Sequence, residues 1–378
     1  MTGRVAVVGG GVVGCAIARS LASDHDVVVV ERGQLAGEAS ALAAGLITMT
    51  PSYSDVPAIA RLANRFFRQY DGTGEFRYTE RASVEPVPPE REGEARRRAA
   101  RLAADGVAVS FVENETVAER YPGVDTTEFV GAVVFEETGW VDPYTFATTL
   151  HDDAVARGAE LRTDTHVSGI EVADGAVTGL ETGTGTIEAD VVVAAAGWRT
   201  ADLLADVVEV PVRPYRTQCV VLDPEVDASD LPMGWLPEEH VYWRPEHDGD
   251  VLVGGWSSAV DDPEAASGDE DEAFRQHVAE LLPRVFHGLE DTSFVNGWAG
   301  IDGATPDTRP VVDAPTDAPD GLVVATGFHG RGVMTAQVAA RGVRALLTDE
   351  DAEFPLSTFG LDRFESRSRE FEFHSVSA

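Results

Sequence analysis

The sequence predicts an α/β chain in which a parallel-sheet domain, assembled from separated segments, is interrupted by an α+β domain built on an antiparallel sheet. Three observations predict it. Short continuous apolar runs, "VAVV" (5–8), "DVVVV" (26–30), "ADVVVAAAG" (189–197) and "DGLVVATG" (320–327), read as parallel strands buried on both faces. The first two flank a glycine-spaced turn and a helical pattern, which makes a βαβ unit. Between the last two lie "VPVRPYRTQCVVL", "HVYWRPEHDGDVLVGGW" and "TSFVNGWAGIDGATPD", which read as antiparallel strands separated by turn residues. The expected division is 1–85, 142–210 and 300–378 for the first domain, and 86–141 and 211–299 for the inserted one.

Taken in order, Val5 to Val8 leads into Gly9, Gly11 and Gly14 with G-x-G-x-x-G spacing, then Val12, Val13 and "CAIARSLA" at helical periodicity. The second strand ends in Glu31, twenty residues beyond Gly11. This is a Rossmann-like dinucleotide unit: Gly11 lets the backbone approach a pyrophosphate at the helix N-terminus, and Glu31 accepts from an adenosine ribose. Residues 86–120, with "EARRRAARLAADG", read as a solvated helix face of Glu/Arg pairs. "VDPYTFATTLHDDAVARGAELRTDTHVSGIEV" resumes a helix–strand rhythm, and "SGDEDEAFRQHVAELL" is a helix whose acidic first turn suits its dipole. The last strand feeds a second glycine-rich turn and helix, "TGFHGRGVMTAQ" (326–337).

The chain has 29 basic and 65 acidic residues, a net charge of −36, and every basic residue is arginine. An acidic surface without lysine is how a halophile's cytoplasmic protein stays hydrated in strong salt, and it disfavours nucleic acid and anionic membranes as partners. Cys15 and Cys219 imply no disulfide framework, and Cys15 is expected to pack inside the first helix. No apolar run approaches the ~18 residues of a membrane helix, so a cytoplasmic location is expected. The histidines lack metal-ligand spacing, and no metal is assigned.

The first βαβ unit does not separate NAD from FAD. "GEASALAAGLI" (37–47) suits a small-residue loop along a pyrophosphate and the edge of a large ring, and "VVVAAAGW" ends a strand beside the same dinucleotide. The second glycine-rich turn brings another helix N-terminus to the far end. An NAD site has no need of it, whereas a flavin accumulates negative charge at N1 and the C2 carbonyl on reduction. These segments, together with "GWVDPYTFATTL", "PVRPYR", "VYWRP", "VLVGGW" and "WAGIDGATPDTRPVV", resemble the D-amino-acid oxidase superfamily of glycine oxidases, sarcosine oxidases and dehydrogenases, and D-amino-acid dehydrogenases. The resemblance implies a discontinuous FAD domain and an antiparallel-sheet substrate domain. It places FAD on Gly9, Gly11, Val12, Val13, Gly14, Glu31, Arg32, Ser40, Ala44, Gly45, Leu46, Val167, Ala196, Gly197, Trp198, Gly327, Gly330, Arg331, Gly332, Val333 and Met334. Non-covalent binding is expected. Histidine-linked relatives carry a histidine before "AGL" where this chain has "SALAAGL", and no cysteine follows Cys219.

The departures bear on substrate. Relatives acting on small amino acids carry an arginine in a "GLRP" stretch that binds the carboxylate; this chain has "GIDG", with Asp302 near that place. Either another arginine clamps the carboxylate (Arg216, Arg244, Arg309 or Arg331) or the substrate is not a simple amino acid. The candidate catalytic residues are His329, Tyr242, Arg244 and Arg331. His329 is an acid–base group or a loop cap bonding a backbone carbonyl. Arg331 lies by the flavin pyrimidine or pairs with a surface acid. Tyr242 and Arg244 share a strand face and form a carboxylate clamp if that face looks onto the flavin. Tyr53 and Tyr215 are expected to pack. The expected activity is oxidation of the C–N bond of a small amino or N-methylamino acid by hydride transfer to flavin N5. The alternatives are a 2-hydroxy-acid or glycerol-phosphate dehydrogenase, or a non-catalytic FAD-containing assembly protein. In sarcosine-oxidase relatives a lysine over N5 assists oxygen; with no lysine, an electron carrier or quinone is the expected acceptor.

Overall fold

The computed structural model describes residues 3–375. Its parallel sheet runs in the order Val311–Asp313, Leu322–Thr326, Val191–Ala194, Arg4–Val8, Asp26–Val30, Glu160–Arg162, with only the Val311–Asp313 edge antiparallel. Alternation explains why its strands are apolar throughout. Val5, Val7, Val27 and Val29 pack beneath the helices Val12–Leu21, Pro143–Ala156 and Gly332–Leu347. Ala6, Val8, Val28 and Val30 pack on the other face, against Val177, Leu180 and Ile187 of the small antiparallel sheet formed by residues 167–188.

The second sheet has eight strands in the order Thr292–Ala304, Arg213–Pro224, Val251–Ala259, Val241–Pro245, Met233–Leu236, Ser83–Val87, Gly131–Phe135, Val109–Glu113. Its pairings are antiparallel except Ser83–Val87 with Met233–Leu236. Val220, Leu222, Trp243 and Val253 face Phe274, Val278, Leu281 and Leu282 of the helix Glu272–Val285. The opposite face, with Tyr215, Thr217, Cys219 and Tyr242, borders a cavity shared with the parallel sheet's glycine turn. Ser83–Val87 and Thr292–Ala304 each span an expected boundary, at 85/86 and 299/300.

The arginine-rich segment forms the helix Glu92–Ala104, solvated as expected on most of its surface. One arginine departs from that pattern. Arg98 reaches inward to Glu85, whose side chain is 3% exposed. No helix among the described residues is long and apolar enough to cross a membrane, and none of their His, Cys, Asp and Glu side chains cluster as a metal site.

Candidate functional site

A cavity of about 1010 Å³ runs from Glu31 to Asp302. At the first end the turn 9–14 is shaped by what a side chain would displace. Gly9 has φ +114°, and a Cβ there would overlap the carbonyl oxygen of Ala195. A Cβ on Gly11 would meet only Ser40 Oγ, at 3.1 Å, so its backbone is open to a ligand. Ser40 Oγ accepts from Val12 N at 3.0 Å and ties the small-residue loop to the helix N-terminus. Glu31 is fixed by two backbone donors, Gly10 N to Oε2 at 2.7 Å and Gly33 N to Oε1 at 2.8 Å, and has no cationic partner among the described residues. Its remaining lone pairs suit a ribose diol.

At the other end the first helical bond of Gly332–Leu347 is Thr335 N to Arg331 O, 3.0 Å, so the N–H groups of Gly332, Val333 and Met334 belong to the unpaired first turn. All three residues line the cavity. Gly330 N is engaged differently from the expectation: it donates to Asp302 Oδ2 at 2.7 Å instead of facing a ring. A dinucleotide cradle at one end and a helix N-terminus at the other, with Ala44, Gly45, Leu46, Val167, Ala196, Gly197 and Trp198 between, fit FAD.

The structure separates the four clamp candidates by their partners. Arg216 is held by Asp271, 3.1 Å, and by the carbonyls of Ser267 and Asp269. Arg309 pairs with Asp55. Arg244 is corrected as a substrate residue: its Nε donates to Ala44 O at 2.6 Å, its Nη2 pairs with Glu246 at 2.8 Å, and its guanidinium stacks 4.3 Å from the Trp140 ring. It therefore braces the 37–47 loop and does not line the cavity, although Tyr242 on the same strand face does. Arg331 lines the cavity and donates to the carbonyl of Thr308 at 2.9 Å, with no acidic partner among the described residues. Burial lowers its pKa from the usual guanidinium range. The other cavity arginines are all paired: Arg32 with Glu38, Arg98 with Glu85, Arg199 with Glu38 and Glu264.

His329 is also corrected. It is 0% exposed, outside the cavity lining, with Nδ1 accepting from Thr305 N at 3.2 Å and Nε2 donating to the carbonyl of His374 at 2.8 Å. Its ring packs against those of Tyr215 and Phe373, which also touch each other, and burial pushes its pKa down to about 4. It is a neutral core group. Gly14 and Gly327 do not line the cavity either. A Cβ on Gly14 would overlap the Gly9 carbonyl, and one on Gly327 would overlap Thr305, so both glycines serve close packing.

Sequence reasoning missed Asp302 and Tyr215 as site residues. They are register partners on adjacent strands and both line the cavity. The alternation Tyr215, Thr217, Cys219 was the available signal, since it puts one tyrosine on the face shared with Tyr242.

With this geometry in hand, the comparisons with known proteins are consistent. The glycine oxidase of Pseudomonas putida is 27% identical over 363 residues, covering 92% of this chain and 95% of that protein. A D-amino acid dehydrogenase of Cereibacter sphaeroides is 30% identical over 236 residues, 62% of this chain and 52% of that one. Two solved structures share the fold: the glycine oxidase of Geobacillus kaustophilus, with TM-score 0.84 and 24% identity over 97% of this chain and 100% of that one, and the L-proline dehydrogenase of P. horikoshii, with TM-score 0.87 and 22% identity over 96% and 97%. Residues 4–346 match the DAO family, and the chain belongs to that family of FAD-dependent oxidoreductases.

Proposed function

We propose that this enzyme oxidises the C–N bond of a small amino or N-methylamino acid, using FAD held without a covalent bond. When bound, the flavin supplies a two-electron acceptor for hydride at N5. The chain's own residues supply position and charge. Gly11 and Val12 present the first helix N-terminus to the pyrophosphate, Glu31 takes the ribose, and Gly332 to Met334 set backbone dipoles where negative charge develops. Arg331 takes the substrate carboxylate. The observation that carries this reading is that Arg331 is the cavity arginine without an acidic partner among the described residues, where each of the others has one. A half-buried guanidinium with no acidic partner among the described residues is a prepared site for a bidentate anion. The relatives named for glycine and D-amino acid oxidation support the same class.

The absence of lysine favours an electron carrier or quinone as acceptor, because arginine is too bulky and diffuse a cation to replace lysine at a tight position. Anaerobic mixing with a panel of amino, N-methylamino and 2-hydroxy acids tests the substrate class. Bleaching of the flavin by amino or N-methylamino acids is expected, whereas bleaching by hydroxy acids alone overturns the reading. In the same stopped-flow run, reoxidation by a quinone should outpace reoxidation by air.

A further inference from the structure

Asp302 lies in the cavity with no counter-ion. Its Oδ1 accepts from Gly303 N at 2.8 Å and its Oδ2 from Gly330 N at 2.7 Å, and no arginine or histidine among the described residues pairs with it. The two backbone donors use one position on each oxygen and the Tyr215 hydroxyl uses a third, of the roughly four that an ionised carboxylate offers. Burial raises its pKa, against the N–H groups of Gly330 and Gly303 and the Tyr215 hydroxyl, which lower it. Tyr215 is the register partner of Asp302, and Gly330, which donates to Asp302, precedes Arg331 in the chain, so all three groups line one end of the cavity.

The arrangement is unusual for this chain. The other acids lining the cavity are accounted for: Glu38 and Glu264 pair with Arg199, Asp202 pairs with Arg369, and Glu31 sits at the ribose end. Asp302 and Arg331 remain as the one acid and the one arginine at this end of the cavity without a charged partner among the described residues. Both side chains are half-buried, and a partly buried charge with no charged partner among the described residues is tolerated where a ligand supplies that partner. Asp302 Oδ2 is bonded to the residue next to Arg331, yet the two side chains do not pair with each other.

We infer that Asp302 anchors the ammonium group of the substrate as it binds and takes up the proton that must leave nitrogen before hydride transfer, so that Asp302 and Arg331 together select a zwitterion. This rests on the amino-acid reading above and adds to it the residue that recognises nitrogen. A charge-assisted hydrogen bond of this kind corresponds to about a tenfold to hundredfold change in affinity. Substrates carrying a second anionic group near nitrogen would be rejected by the same carboxylate.

The test uses flavin-loaded enzyme and three probes without an oxidisable α-C–H next to nitrogen, read by perturbation of the flavin spectrum: 2-aminoisobutyrate, tert-butylammonium and isobutyrate. In the wild type, 2-aminoisobutyrate should bind at least tenfold tighter than isobutyrate. In Asp302→Asn, tert-butylammonium and 2-aminoisobutyrate should weaken at least tenfold, while isobutyrate binds as well or better. A purely structural role for Asp302 would weaken all three together and overturn the inference, as would unchanged binding of the two ammonium-bearing probes. If Asp302→Asn does not fold, the wild-type ratio decides: isobutyrate binding as tightly as 2-aminoisobutyrate rejects the anchor. Binding of 2-hydroxyisobutyrate in preference to 2-aminoisobutyrate would instead reject the amino-acid reading itself.

Discussion

His329 shows what burial does to a single titratable side chain. Its imidazole is enclosed by Tyr215 and Phe373, its backbone has φ +52°, and Arg331, Asp307 and the His374 carbonyl are the polar groups that act on it. Burial, the largest cause, moves its pKa from 6.5 down to about 4. Between those values the unfolded chain binds the proton and the folded one does not, so stability falls as pH drops from 6.5 towards 4 and levels off below. The full shift corresponds to about 3 kcal/mol. Asparagine tolerates the left-handed backbone and does not titrate. His329→Asn should therefore be less stable than wild type at pH 8, and should lose less melting temperature between pH 6.5 and 4.5. A pH slope equal to that of the wild type would place the proton elsewhere. The sequence motif "GFHGRG" pointed to His329 as a catalytic candidate, and nothing in it reveals that the 365–375 segment returns to cover the ring.

Secondary elements carry the part of the molecule that was legible. Runs such as "DVVVV" and "LVVAT" announce strands buried on both faces because each alternate residue meets a different layer, helices on one side and the small sheet on the other. Side-chain reach was not legible. Tyr242 and Arg244 do share a face, yet the long arginine stem turns under Ala44 and Trp140, and the strand pattern has no information about that. Arg98 likewise leaves an otherwise solvated helix to reach Glu85. The glycine turn separates two roles that the motif merges. Gly14→Ala forces a methyl against the Gly9 carbonyl and should cost roughly 1–3 kcal/mol of stability, with loss of bound flavin as a consequence. Gly11→Ala meets only Ser40 Oγ, so the fold should survive and flavin affinity alone should drop. Melting temperature and flavin content of the two purified variants distinguish these outcomes; equal thermal loss in both would contradict the division.

At the scale of the whole molecule the governing quantity is the charge of −36. Arginines are spread thinly among the acids, and several serve two carboxylates at once: Arg96 with Glu92 and Glu113, Arg344 with Asp24 and Glu350, Arg367 with Asp317 and Asp362. Salt acts on both sides of this balance. It weakens the exposed ion pairs, each of which contributes only about 0–1 kcal/mol. It also screens repulsion among the excess acids, which acts over longer distances. The Debye length is about 10 Å at 0.1 M and about 3 Å at 1 M, so molar salt suppresses repulsion between separated carboxylates far more than attraction between groups in contact. The repulsive part therefore yields first, and the native state gains. Melting temperature should rise steeply between 0.1 M and 2 M potassium chloride, and flavin should dissociate from enzyme dialysed to low salt and rebind when salt is restored. The dinucleotide, itself an anion entering an acidic protein, adds to the same dependence, so its retention should follow salt at temperatures well below melting. A melting temperature that stays flat or falls over this range would show that the ion pairs outweigh the repulsion, and that the arginine-only, acid-rich composition has another cause.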